Sequence, residues 1–123
     1  MALTSFRSLA VSLLPLAAAL AASAQAHAAS GKPPVLTGAA VIHDLARMNG
    51  RYCFAGHVHY GSSSGAATQA KAKADAIESW YELVDLEYGG QWSSFAISAA
   101  KSVKCSLSGM AWGCEVHAIP CSR

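Results

Sequence analysis

Between Arg51 and Tyr60 apolar and polar residues alternate, with Tyr52, Phe54, Val58 and Tyr60 on one parity and Arg51, Cys53, His57 and His59 on the other. That is the period of a β-strand. Gly61-Ser62-Ser63-Ser64-Gly65 interrupts it and supplies hydroxyls suited to the first free amides of a helix. A helical period follows: Ala70, Ala74, Ile77, Tyr81, Val84 and Tyr88 form one apolar stripe, which Gly89-Gly90 ends. Such a helix should lie on a sheet. Further on, Phe95, Ile97, Ala99, Val103, Cys105 and Leu107 share one parity, with Lys101 out of place as at a bulge or an earlier helical turn. Ser108 to Met110 turns the chain. Trp112, Cys114, Val116 and Ala118 then alternate with Gly113, Glu115, His117 and Ile119, and Pro120 ends or edges the last strand.

The pattern before Arg51 is of other kinds. Val41, Leu45 and Met48 recur at helical spacing, which predicts a short helix within 37–48 stopped by Asn49-Gly50. Asn-Gly is also a tight-hairpin signal, so the alternative is an extended Val41 to Met48 paired with Arg51 to Val58. Residues 29–36, with Pro33 and Pro34, read as a flexible linker. Ahead of it a lone charge, Arg7, precedes an apolar run from Leu9 to Ala22 that is too short for a membrane span and is followed by small residues. Residues 1–28 therefore read as a secretory signal, cleaved after Ala28 or, alternatively, after Ala26. The expected product is periplasmic or secreted, with no membrane span after cleavage.

Removing 28 of the 123 residues leaves 95, enough for one domain with a modest core over 37–123. The 53% hydrophobic content is inflated by the Ala and Leu of the signal, so it does not indicate a membrane protein. Without Arg7, eight Lys and Arg face seven Asp and Glu, and a charge near +1 provides no field for gathering nucleic acid. Cys53, Cys105, Cys114 and Cys121 all lie in the mature part, an even number in an oxidising compartment, which suggests two disulfides.

The predicted order, strand-helix-strand-strand, makes the helix a crossover, and the closing hairpin brings the last strand back antiparallel between the other two. The fold class is α+β: one long helix on a three-stranded, mostly antiparallel sheet with the last strand central. A turn centred between Gly109 and Met110 sets Cys105 opposite Cys114 on the apolar parity. Cys53, opening the first strand, is left to meet Cys121, closing the last.

With Cys53 facing Cys121, a continuous strand register sets His57 opposite His117 and His59 opposite Glu115. Directly opposed residues are about 5 Å apart, so His57, His59, Glu115 and His117 are a candidate zinc or copper set. The same residues also suit the solvated face of a two-layer domain. On the helix, Glu78, Glu82 and Asp85 run towards its carboxyl end against the helix dipole, either as an acidic patch for a basic protein partner or as a solvated face. Trp80, Trp92 and Trp112 serve as a stacking platform or, more simply, as core. Catalytic residues are not evident: the cysteines are claimed by bridges, and Ser62 to Ser64 lack a nucleophile-elbow pattern and an obvious orienting carboxylate, Asp44 being the candidate in the sequence around His57 and His59.

His57-Val58-His59-Tyr60-Gly61, Ala76-Ile77-Glu78-Ser79-Trp80, Glu87-Tyr88-Gly89 with Trp92, Cys105, Trp112-Gly113-Cys114 and Ala118-Ile119-Pro120-Cys121 together resemble a group of small exported bacterial proteins. The resemblance implies an exported disulfide domain and supplies no activity. The order of elements is also similar to that of the flavin-binding dodecins, but those are cytoplasmic assemblies, and topology does not carry flavin binding to this chain. The expected role is non-enzymatic, a binding or envelope-associated accessory function with a protein partner in the envelope. Metal capture stands second and a small hydrolase third.

In the loop-entropy picture the first bridge closes about ten residues, worth roughly 2.5 to 3 kcal/mol, and the second nearly seventy, worth roughly 4 to 4.5 kcal/mol. Together these rival the net stability of a domain this size. Reduction should therefore unfold the protein or nearly so. The check is circular dichroism with and without dithiothreitol, and a reduced protein that melts unchanged would contradict it.

Overall fold

Asn49 and Gly50 take φ angles of 50° and 76°. Two successive positive values are what a type I′ turn requires, and this one folds Leu45–Met48 (β1) onto Arg51–Phe54 (β2) as an antiparallel hairpin. The computed structural model describes residues 31–123, so the signal segment and the first two linker residues lie outside the described part. The short helix expected within 37–48 is not formed. Only Gly38–Ile42 makes a 3-10 turn, and the extended alternative holds from Leu45 instead of Val41. Local turn chemistry has outweighed a helical spacing whose first member, Val41, remains 60% exposed. Residues 31–36 have no regular secondary structure, although Leu36 packs on the core and Gly31 O accepts a bond from Arg47 at 3.0 Å.

The strand expected across 51–60 is divided. After Phe54 the chain turns at Gly56, with φ at 65°, and becomes extended again at His59–Ala66 (β3). Ser62 to Ser64, expected to end a strand and cap the helix, lie inside β3. The cap is Thr68, whose side-chain oxygen accepts from the Lys71 amide at 3.2 Å.

The helix, Gln69–Tyr88 (α1), ends at Gly89 with φ at 85°. It buries Ala72, Ala76, Trp80, Val84 and Tyr88, whereas Ala70, Ala74 and Tyr81 of the expected stripe are exposed. A row of every fourth residue winds slowly round a helix and can follow the twist of a sheet. Small residues in that row also let the helix approach closely. Gly61 of β3 lies so near α1 that a Cβ there would sit 2.3 Å from Ala76 O and 2.5 Å from Trp80 N. Gly61 is thus the contact between layers and not a loop residue.

After a 3-10 turn at Phe95–Ile97, the strands Ala99–Ser108 (β4) and Ala111–Ile119 (β5) complete the sheet in the order β3-β5-β4. Both neighbours run antiparallel to the central last strand. The closing hairpin has the expected register, Cys105 opposite Cys114 and Val103 opposite Val116. Its irregularity between Ala99 and Ser102 coincides with Ala100 at φ 48°. The helix covers one sheet face, and Trp80, Val84, Cys114, Val116 and Ala118 fill the interlayer space. Phe54 extends this core by stacking on Trp92 with ring centroids 4.2 Å apart.

Cys105 is bonded to Cys114 and Cys53 to Cys121, with S–S distances of 2.00 and 2.01 Å, and no cysteine is free. Backbone bonds flank the second bridge: Phe54 N donates to Pro120 O at 3.1 Å and Ser122 N to Tyr52 O at 2.8 Å. No helix among the described residues is long and apolar enough to cross a membrane.

Replacing Gly61 by Ala should cost about 3 kcal/mol or more, because the new methyl meets helix backbone that cannot yield without moving a whole layer. Urea denaturation measures it. A change below about 1 kcal/mol would show that the two layers are not held at this distance.

Candidate metal centre

β3 has 8 residues and α1 has 20, so at about 3.3 and 1.5 Å per residue the helix is slightly longer than the strand. Running back over the sheet, it returns its carboxyl end beside the start of β3. This places Glu87 and Tyr88 next to His59. The hairpin supplies the rest: its base is closed by Ala55 N donating to Asp44 O at 2.8 Å, and the residues just beyond are His43 on one arm and His57 on the other. Their rings lie 4.2 Å apart, edge to face.

Three imidazoles converge on one phenol. Tyr88 OH is 2.9 Å from His57 Nε2, 3.1 Å from His59 Nε2 and 3.5 Å from His43 Nε2. Glu87 Oε2 lies 3.5 Å from His59 Nε2. One ligand atom each from His57, His59 and Glu87 fall within 4.8 Å of one another, the compactness that a shared ion requires. His59 is buried, His57 half-buried and Glu87 exposed, so the cluster opens to solvent on the carboxylate side.

The hydrogen-bond pattern assigns the tautomers. His43 Nδ1 is 3.0 Å from Ala39 O, a carbonyl that can only accept, so in the neutral ring the proton is on Nδ1 and Nε2 carries a lone pair. A phenol donates one bond and accepts two. Tyr88 therefore donates to His43 and accepts from the Nε2–H groups of His57 and His59. Burial lowers the pKa of His59, with His57 and His43 adding to the effect and Glu87 opposing it. Burial also lowers that of His57, assisted by His43 and opposed by Glu87. Tyr88 is pushed up to about 12 by burial and then by the neighbouring Glu87 carboxylate. All three groups are held neutral, which leaves imidazole nitrogen available to a metal.

Of the four residues predicted as ligands, the structure brings together His57 and His59 but not Glu115 and His117. The turn at Gly56 is the reason. It displaces the β3–β5 register by three residues from the Cys53–Cys121 pair, so that His59 faces Ala118, Tyr60 faces His117 and Ser62 faces Glu115. An odd displacement exchanges the faces of a strand. His59 turns into the interlayer space, while Glu115 and His117 belong to the uncovered face, where His117 meets Tyr60 at 5.6 Å between ring centroids. No family model, curated protein or solved structure matches this chain.

His43, Glu87 and Tyr88 were missed from sequence. An Asn49-Gly50 hairpin continued outward from its turn brings His43 opposite Gly56 and beside His57, so the signal for His43 was present in the alternative that was not favoured. Glu87 and Tyr88 required the length comparison between strand and helix. The remaining candidates serve other ends. Glu78 and Glu82 are exposed, but Asp85 accepts a bond from Ser93 Oγ at 3.2 Å, so the acidic row does not present a uniform surface. Ser63 Oγ donates to Ala72 O at 2.6 Å and accepts from Cys114 N at 3.2 Å, which ties it to backbone on both sides.

Because folding lowers the pKa of His57 and His59 below the ordinary 6.5, the unfolded chain binds more protons in that range, and stability falls with pH. The contribution is fully present above 6.5 and is lost as pH falls through the lowered values. Urea midpoints of chelator-treated protein should drop from pH 7.5 to pH 5, less so in His59→Gln. Equal slopes in both proteins would show that His59 does not carry the effect.

Proposed function

We propose that this chain is an exported, disulfide-stabilised binding domain that holds one zinc or copper ion at His57, His59 and Glu87. The observation that carries the reading is the approach of these three ligand atoms to within 4.8 Å of one another, with donors drawn from strand, loop and helix. Imidazole and carboxylate are a donor set that suits zinc and copper. Burial supports the ligand state, since it disfavours protonated imidazole. Tyr88, hydrogen-bonded to both rings, holds the two imidazoles together in the cluster.

Two disulfides and the lack of a membrane-crossing helix among the described residues are compatible with a location outside the cytoplasm. The role proposed is capture, not catalysis. Ser62 to Ser64 lie within β3, where Ser63 is committed to backbone.

Calorimetric titration of the oxidised mature protein with zinc, and separately with copper(II), tests the proposal. One ion should bind per chain. His59→Ala and Glu87→Gln should each weaken binding by about 10- to 100-fold or more, a loss at least as large as that from removing an outer partner. Glu115→Gln and His117→Ala should leave it unchanged. Absence of binding, or an equal loss in His117→Ala, would overturn the reading.

A further inference from the structure

The three residues that define the centre leave a tetrahedral ion one ligand short. We infer that His43 is the fourth ligand, so that the site is closed by the segment ahead of β1; this rests on the metal-binding reading above. Three observations converge on it. His43 Nε2 lies 3.5 Å from the Tyr88 oxygen that His57 and His59 also approach, so it points into the same space. Its other nitrogen is engaged with Ala39 O at 3.0 Å. That bond sets the ring orientation and leaves a lone pair on Nε2, at the long contact with Tyr88, the arrangement in which histidines ligate metals. Finally, the ring is held on both sides, 4.2 Å from His57 and 5.0 Å from Phe54 by centroid, so little conformational freedom remains to be lost on binding.

The ion and Tyr88 compete for the same lone pair. On binding, Nε2 of His43 exchanges its long phenol contact for a metal bond, and the rings draw in, because zinc–nitrogen distances are about 2.0 to 2.1 Å. His57 and His59 each present Nε2 after moving their proton to Nδ1, which releases their hydrogen bonds to Tyr88. The resulting set is three imidazoles and one carboxylate with no position left for water. A closed set is the form in which proteins hold zinc, whereas hydrolytic sites keep one position open. The ion also ties the segment ahead of β1 to the end of α1, whereas the disulfide ties the hairpin to Cys121.

Cobalt(II) is the probe, since four-coordinate cobalt absorbs visible light several-fold more strongly than five- or six-coordinate cobalt. Wild-type protein should give the intense spectrum, and zinc should displace the cobalt. His43→Ala should bind zinc about 10- to 100-fold more weakly and give a several-fold weaker cobalt band, which added imidazole restores. His43→Gln keeps an amide donor within reach of Ala39 and should show the same loss, guarding against misfolding of the Ala variant. Wild-type affinity and spectrum in either variant would overturn the assignment of His43 alone. If wild-type protein binds neither ion, the metal reading fails and His43 with it.

Discussion

The Cys53–Cys121 bridge is the constraint on which the candidate centre depends. The β1–β2 hairpin shares no strand with the three-stranded sheet, and strands of 4 residues bury too little to dock firmly by themselves. The bridge spans 68 residues and removes freedom from the unfolded chain that a short hairpin could not offset. Its flanking backbone bonds fix the angle of approach, and Phe54, one residue on, is driven between Trp92 and Tyr88. His57 follows three residues later, its amide donating back to Phe54 O at 3.5 Å across the turn at Gly56. The imidazoles meet because a covalent link outside the cluster has already determined where the hairpin lies.

The second determinant is the closeness of the two layers. Gly61 presses against the backbone of α1 at Ala76 and Trp80, and two residues earlier on the same side of β3 is His59. A helix held that near its strand leaves no room for water between His59 and Tyr88, whose polar atoms satisfy one another at 3.1 Å. Desolvation then acts on His57, His59 and Tyr88, disfavouring imidazolium and phenolate. Glu87, at the exposed rim, is the single carboxylate of the cluster.

Much of the architecture was legible because it depends on short-range rules. The long helix followed from its apolar period and from glycines at its end, and the Cys105–Cys114 pairing from the turn at Gly109-Met110 and strand parity. The central position of β5 followed from crossover and hairpin logic. Errors arose where one residue carried two meanings. Gly56 fits an alternating strand by sequence but turns the chain, and Gly61 signals a break by sequence but lies inside β3. Once Gly56 adds its turn, parity arguments based on Cys53 no longer reach β3, which is why half of the predicted ligand set lies on the wrong face.

Sequence by itself determined the α+β class, the order of the sheet and both disulfides, since these rest on period, turn chemistry and the pairing of a small even number of cysteines. Only the tertiary structure decided which polar residues meet. His43, His57, His59, Glu87 and Tyr88 come from the segment ahead of β1, a turn, a strand and the far end of a helix, and their convergence depends on the relative length of α1 and β3 and on a register offset of three residues. An offset of that size is invisible to parity counting. It reverses which side of the sheet every later side chain occupies, and therefore which of them can share an ion.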